Sequence, residues 1–304
     1  MSVPVAPENR MRRSFLFVSL ALSLFLGSFG FAQTCVRTDI LVQGGTIYTG
    51  SINRYGTVVG YFHHSDPNVP QIVGFRWNNG VFTTYQYPGA TETQFAASND
   101  KGQIAGTYGV LVGDVPYPYS HGFLYENGTF TQVDYPGAAS TFLTGINNAG
   151  DLVGYFELIP TGLNHAFVKH GSTWTEIAPP NSMNASATGI SNTGEVIGEY
   201  GTATDAFVFR YKNGQLTNFG PKPGSTAMWA SAINKYESIV GYFENGNDFY
   251  AYTYKNGIYY TYAYPAPKGA LLYTVYTGIN DLGDRVGYAY YYSGATQGFV
   301  MKCR

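Results

Sequence analysis

The stretch Thr144-Gly-Ile-Asn-Asn-Ala-Gly-Asp-Leu-Val-Gly-Tyr-Phe156 joins small residues, an Asn-x-x-Gly turn and a Val-Gly-aromatic strand. The pattern returns along the chain. Its other copies are Ser51-Ile-Asn-Arg-Tyr-Gly-Thr-Val-Val-Gly-Tyr-Phe62, Ala97-Ser-Asn-Asp-Lys-Gly-Gln-Ile-Ala-Gly-Thr-Tyr108, Gly189-Ile-Ser-Asn-Thr-Gly-Glu-Val-Ile-Gly-Glu-Tyr200, Ala232-Ile-Asn-Lys-Tyr-Glu-Ser-Ile-Val-Gly-Tyr-Phe243 and Gly278-Ile-Asn-Asp-Leu-Gly-Asp-Arg-Val-Gly-Tyr-Ala289. Aligned on the turn Asn (Ser191 in the fourth copy), the six fall at 53, 99, 147, 191, 234 and 280, a period of 43 to 48 residues. Short strands repeating every ~40–50 residues are the spacing of propeller blades. From that Asn or Ser to the Gly of the Val-Gly step is seven residues in every copy. The hairpin register is therefore pinned, since a slip of one residue would exchange its buried and exposed faces.

A second hairpin follows the first. It is read from Gly74-Phe-Arg-Trp-Asn-Asn-Gly-Val-Phe82, Gly122-Phe-Leu-Tyr-Glu-Asn-Gly-Thr-Phe130 and Ala251-Tyr-Thr-Tyr-Lys-Asn-Gly-Ile-Tyr259. Asn79-Gly80, Asn127-Gly128, Asn213-Gly214 and Asn256-Gly257 predict type I′ turns, in which both central residues take positive φ, while Gly171-Ser172 in the third copy suits a II′ turn. Each repeat is thus a meander of four strands, a to d. Strand a ends in small residues, such as Thr49-Gly-Ser51 and Thr144-Gly145, which places it innermost, where strands converge on an axis. The chain finishes on a strand c, Gly298-Phe-Val-Met-Lys-Cys-Arg304, and Thr34-Cys-Val-Arg-Thr-Asp-Ile40 stands where a strand d belongs. The expectation is an all-β, six-bladed β-propeller whose last blade is completed by the N-terminal strand. Cys35 and Cys303, the two cysteines of the chain, lie in those terminal strands. A disulfide closing the ring is expected, with two unpaired thiols as the alternative.

Residues 1–32 read as a signal peptide, with Arg10, Arg12 and Arg13 before the apolar run Ser14 to Leu26 and small residues around Ala32. That run is too short for a membrane span. Met11, followed by two arginines, makes a more usual start for such a leader than Met1. The rest, 33–304, is expected to be a single propeller domain of six repeats. Cleavage removes three arginines and Glu8, shifting the formal charge from −2 to −4. Charged residues make up 12% of the chain, well under the usual ~25%, while Tyr (28), Gly (38) and Phe (20) abound. Such a surface suits a secreted or periplasmic protein and lacks the basic stripe that nucleic acid requires.

The Gly-Phe pairs at 74, 122 and 298, His165-Ala166-Phe167, Asp205-Ala206-Phe207 and the six turn copies together resemble the bacterial extracellular HAF-family repeat. The likeness covers nearly all of residues 45–302. It implies an extracellular repeat protein and carries no activity, cofactor or site residue with it. Departures are Glu237 where the turn wants Gly, Ser191 for Asn, and the missing Asn-Gly of the third copy.

No Gly-x-Ser-x-Gly, His-Glu-x-x-His, EF-hand loop or phosphate-binding loop occurs, and no catalytic residue, metal or cofactor is assigned. The loops joining b to c and d to a share one face and vary in length, so binding is sought there. Its candidates are His63, His64 and Asp66, Tyr117 and Tyr119, His121, Trp229, and Tyr290, Tyr291 and Tyr292. Loop tyrosines can stack on sugar rings, whereas adjacent histidines in a strand point to opposite faces. The remaining tyrosines are expected to pack between blades. The sequence therefore points to a non-catalytic binding or cell-envelope scaffold, with a glycan or an extracellular protein as partner. The alternative is a hydrolase or lyase with its active site in the central channel.

Overall fold

The computed structural model describes residues 35–110, 119–159, 162–267 and 269–303. The expected leader lies outside them. Every regular element among these residues is a strand. The first four-stranded unit shows how the repeat folds: strand a (Gly45–Ile52), b (Val58–His64), c (Ile72–Asn78) and d (Val81–Tyr85) pair antiparallel in order. Equivalent units span 92–132, 140–177, 184–219 and 227–262. In the last unit, Leu271–Ile279, Arg285–Tyr291 and Thr296–Cys303 are a, b and c, and Cys35–Ile40 pairs antiparallel as d. Single parallel bridges, Ile72 to Glu92 and Phe249 to Tyr273, tie neighbouring units at two places.

The repeat's glycines follow from a bulge. In every unit strand a carries one extra residue near its end, as at Gly50 between the pairs Thr49–Gly60 and Ser51–Val59. Strand b then passes so close to the backbone of strand a that a Cβ on Gly60 would lie 2.2 Å from the Tyr48 carbonyl oxygen and 2.7 Å from the Phe75 ring. At Gly154 the carbonyl of Phe142 would be 1.9 Å away. The Val-Gly step is therefore fixed by contact. The small residues of strand a have a similar cause: a Cβ on Gly278 would come within 2.8 Å of Ser51 Cα in the next unit.

The four Asn-Gly turns take positive φ at both residues, 47° and 87° at Asn79 and Gly80 for example. At the third copy Gly171 is at 55° while Ser172 is not in the positive region, as a II′ turn requires. Glu237, standing where the other turns have Gly, still adopts φ 59°. Its carboxylate bridges Arg210 and Lys212, which also hold the buried Glu195.

Packing closes the ring. Six apolar clusters fill the six junctions between successive units. One of them joins Val286 and Val300 of the last unit to Ile47, Ile52, Val58 and Phe62 of the first. A Cys35–Cys303 disulfide ties strands c and d of the terminal unit. Because it spans 268 residues of chain, the chain-entropy model gives it about 5 to 6 kcal/mol.

Candidate functional site

The turn Asn of each repeat does two jobs. Its side-chain oxygen accepts the backbone N–H groups two and four residues on, as Asn147 does from Ala149 and Asp151, which is how an Asx side chain stabilises a turn. Its amide then donates to the carbonyl of the equivalent residue in the next blade. Asn53 donates to Asn99, Asn99 to Asn147, Asn147 to Ser191, Asn234 to Asn280, and Asn280 back to Asn53, at 2.9–3.3 Å. Ser191 keeps the cap through its Oγ, but a hydroxyl is too short for the second role. A second tier lies beneath, in which Asp100, Asn148, Asn192 and Asp281 accept the backbone N–H of the preceding blade. At this end the axis narrows to a polar space of ≈ 60 Å³.

Above the Asn ring the axis opens into a cavity of ≈ 440 Å³, within the range of small-molecule sites. Its wall comes from strand a and from one residue of strand b, the one after the Val-Gly step. That position reads Tyr61, Thr107, Tyr155, Glu199 and Tyr242 around the cavity, with Tyr288 as the sixth member of the series. Strand alternation explains the choice. The preceding Gly packs against an aromatic ring of strand c, so the next side chain turns inward. Cross-strand partners from strand a stack on several of these rings: Tyr48 on Tyr61 at 4.9 Å, Phe142 on Tyr155 at 4.5 Å and Trp229 on Tyr242 at 4.9 Å. Tyr288 meets Tyr48 edge-on at 5.3 Å.

The charge on the described wall of the cavity is of one sign. Burial pushes the phenols of Tyr61, Tyr155 and Tyr242 up to about 12 and that of Tyr288 well above its ordinary value, so all remain neutral near pH 7. Glu199 is the ionisable acid of the wall. Burial raises its pKa to about 7, against the opposing pull of the Ala230 backbone N–H. One strand step towards the mouth, Glu92 and Glu157 follow on the same face as Gln94 and Tyr155, and burial raises both. These three acids stand on the second, third and fourth blades, and Glu244 on the fifth, opposite Ala227, holds the same strand position as Glu157. The aromatic residues Trp229, Tyr242, Tyr273, Tyr288, Tyr48 and Tyr61 stand on the fifth, sixth and first.

No family model and no curated protein sequence matches the chain. Solved structures do. A putative TolB from Agrobacterium tumefaciens superimposes with a TM-score of 0.58 at 10% identity, covering 90% of this chain and 98% of that one. TolB from Acinetobacter baumannii gives 0.53 at 11% identity, over 82% of this chain and 66% of the other. The fold is a β-propeller. At such identities the likeness carries the architecture and nothing of the chemistry.

The sequence-derived candidates divide. His63 lies on the cavity-facing side of its strand, two residues beyond Tyr61, and is exposed. Trp229 is stacked on the wall, and Tyr290 stacks on Tyr273 at 4.8 Å. His64 is on the opposite face, edge-on to Phe62. Asp66 accepts the N–H and side-chain amide of Asn68 and serves its own turn. His121 pairs with Asp134 at 2.8 Å and lies over Tyr108, just as His165 pairs with Glu176. Each of these histidines is a strand-edge residue with a partner in its own blade. Tyr119 begins a strand c opposite Val110, Tyr291 sits by Tyr264 and Asp39 in the terminal blade, and Tyr292 is exposed. Tyr117 lies outside the described residues. Sequence reasoning does not reach Glu199, Glu92 and Glu157, and the tyrosines Tyr61, Tyr155, Tyr242 and Tyr288, expected to pack between blades, face inward instead. The available signal was the column after Val-Gly, where one Glu and one Thr interrupt a run of Tyr.

Proposed function

We propose that this chain is a secreted or periplasmic propeller of the HAF-repeat kind that binds a ligand in its axial cavity and acts as a binding or envelope scaffold. One observation carries the reading. A ≈ 440 Å³ cavity, narrowing at one end towards a repeated Asn ring, is walled at its centre by the repeat position whose residue varies between blades. Selection for the fold alone would leave no reason to place an acid with a raised pKa there. The disulfide and the expected leader support an oxidising compartment. The partner fits a group that projects from an extracellular glycan or protein, since the cavity is too small for a whole domain.

The hydrolase or lyase reading is weaker. Paired-carboxylate chemistry needs two acids ~5–9.5 Å apart across one bond, and among the described residues lining the cavity Glu199 is the carboxylate present.

The test is a cavity-filling variant, Thr107→Trp, screened beside the wild type on glycan and extracellular-protein arrays. Loss of binding with an unchanged melting temperature is expected. Binding equal to wild type would place the ligand elsewhere. Turnover of any arrayed glycan that disappears in Glu199→Gln would favour the enzyme instead.

A further inference from the structure

An axial cavity selects its ligand by charge as well as by size. Among the described residues that wall it there is no Lys, Arg or His, and the side chains are Tyr, Phe, Thr, Ser, small aliphatics, one Gln and Glu199. The tyrosines cannot ionise near neutral pH. The site's one formal charge is therefore negative, and it sits where burial has removed much of its hydration. Within the protein it receives a single backbone N–H, from Ala230, and no ion pair among the described residues is made to it. The other buried acid of the same blade is treated differently: Glu195 is neutralised by Arg210 and Lys212. The fold supplies cations where a carboxylate is structural and withholds one here.

The approach repeats the theme. Glu92 and Glu157, on the two blades before that of Glu199, also lack a basic partner among the described ion pairs, and burial raises both. A cation entering from the open face meets these acids first and Glu199 after. On the neighbouring fifth blade it meets Tyr242 with Trp229 stacked on it, and across the axis Tyr61 of the first blade with Tyr288 of the sixth nearby. Electron-rich rings and a partly desolvated carboxylate are the two elements that hold an organic ammonium: the rings favour a weakly hydrated positive head, and the acid neutralises it. An anion would meet repulsion from Glu199, and a neutral sugar could donate hydrogen bonds to the acid but would supply no counter-charge.

Resting on the axial cavity being the binding site, we infer that its ligand presents an organic ammonium group, seated between Glu199 and the tyrosine wall. The group can come from a free quaternary amine or from the amino group of a peptide, and the two are separable by experiment.

The measurement is a titration of the mature protein followed by tryptophan fluorescence, since Trp229 stacks on the cavity wall. The probes are choline, its neutral isostere 3,3-dimethylbutanol, and a short Gly-Gly peptide with a free or an acetylated amino terminus. Saturable binding of choline or of the free-amine peptide is expected, at least about tenfold tighter than its uncharged counterpart. Whichever of the two binds names the source. Glu199→Gln should weaken the cation at least about tenfold and leave the isostere unchanged. Cation binding should also tighten as pH rises through about 7, as Glu199 loses its proton. Equal affinity for charged and neutral probes, or no response to either cation, overturns the ammonium assignment. If a neutral glycan binds instead and Thr107→Trp abolishes it, the cavity reading survives that result. If no ligand from the arrays is sensitive to Thr107→Trp, the cavity reading falls as well.

Discussion

The two ends of the propeller axis are built on opposite principles. At the turn end nearly every blade contributes the same residue in the same role, and the Asn amides link blade to blade around the ring. At the other end each blade contributes something different: Tyr48 and Tyr61, Gln94 and Thr107, Phe142 and Tyr155, Ser186 and Glu199, Trp229 and Tyr242, Val275 and Tyr288. Sameness at one end is what ring closure needs. Difference at the other is what ligand discrimination needs, and one fold supplies both because strand a runs along the axis while strand b turns the residue after its Val-Gly step towards it.

Mutations should sort by end. The largest effect is expected where strands a and b touch: Gly154→Ala puts a Cβ 1.9 Å from the Phe142 carbonyl oxygen and should cost about 3 kcal/mol or more in urea unfolding. Asn147→Ala strips the cap from two backbone N–H groups and breaks the donation to Ser191, a loss of roughly 2–4 kcal/mol by the same assay. A change below about 0.5 kcal/mol would mean that the Asn ring is decoration.

The open end should behave in the reverse sense. Glu199 has a folded pKa near 7 against an ordinary 4.5, so the native chain holds more protons than the unfolded one between those values. Stability therefore falls as pH rises through that window. Glu199→Gln removes the penalty and should raise stability by roughly 1–3 kcal/mol at pH 8, with little effect at pH 4.5. Thermal melts at the two pH values check this, and a destabilised variant at pH 8 would show the carboxylate to be structural. The smallest effect is expected from Ser191→Asn, which restores the missing amide donor towards the Asn234 carbonyl. A gain of about 0.5–1 kcal/mol should appear as a slightly higher melting temperature.

Much of the architecture could be read from the chain because it rests on local rules repeated six times. The Asn-Gly pairs announced their turns, the seven-residue spacing fixed the register, and a terminal strand c without its d pointed to the shared last blade. The double role of the turn Asn could not be read, since its second partner lies 46 residues away in the first blade and exists only once the ring is closed. The site was harder still. Variable loops drew attention to Asp66 and His121, which serve their own blades, while the variation that shapes the cavity lies inside strand b. Glu199 occupies a slot that the repeat pattern reads as aromatic, and only the bulge in strand a and the packed Gly198 decide that it faces inward.

The central claim is an accessible, negatively charged axial cavity above a narrow Asn-lined end. Its most direct test places a thiol on the wall, Thr107→Cys, and compares its rates of modification by a cationic trimethylammonium methanethiosulfonate and an anionic sulfonate analogue. Preference for the cation by about tenfold or more, collapsing in the Thr107→Cys, Glu199→Gln double variant, is the predicted result. Equal rates for the two reagents, or a thiol that neither reaches, would contradict it.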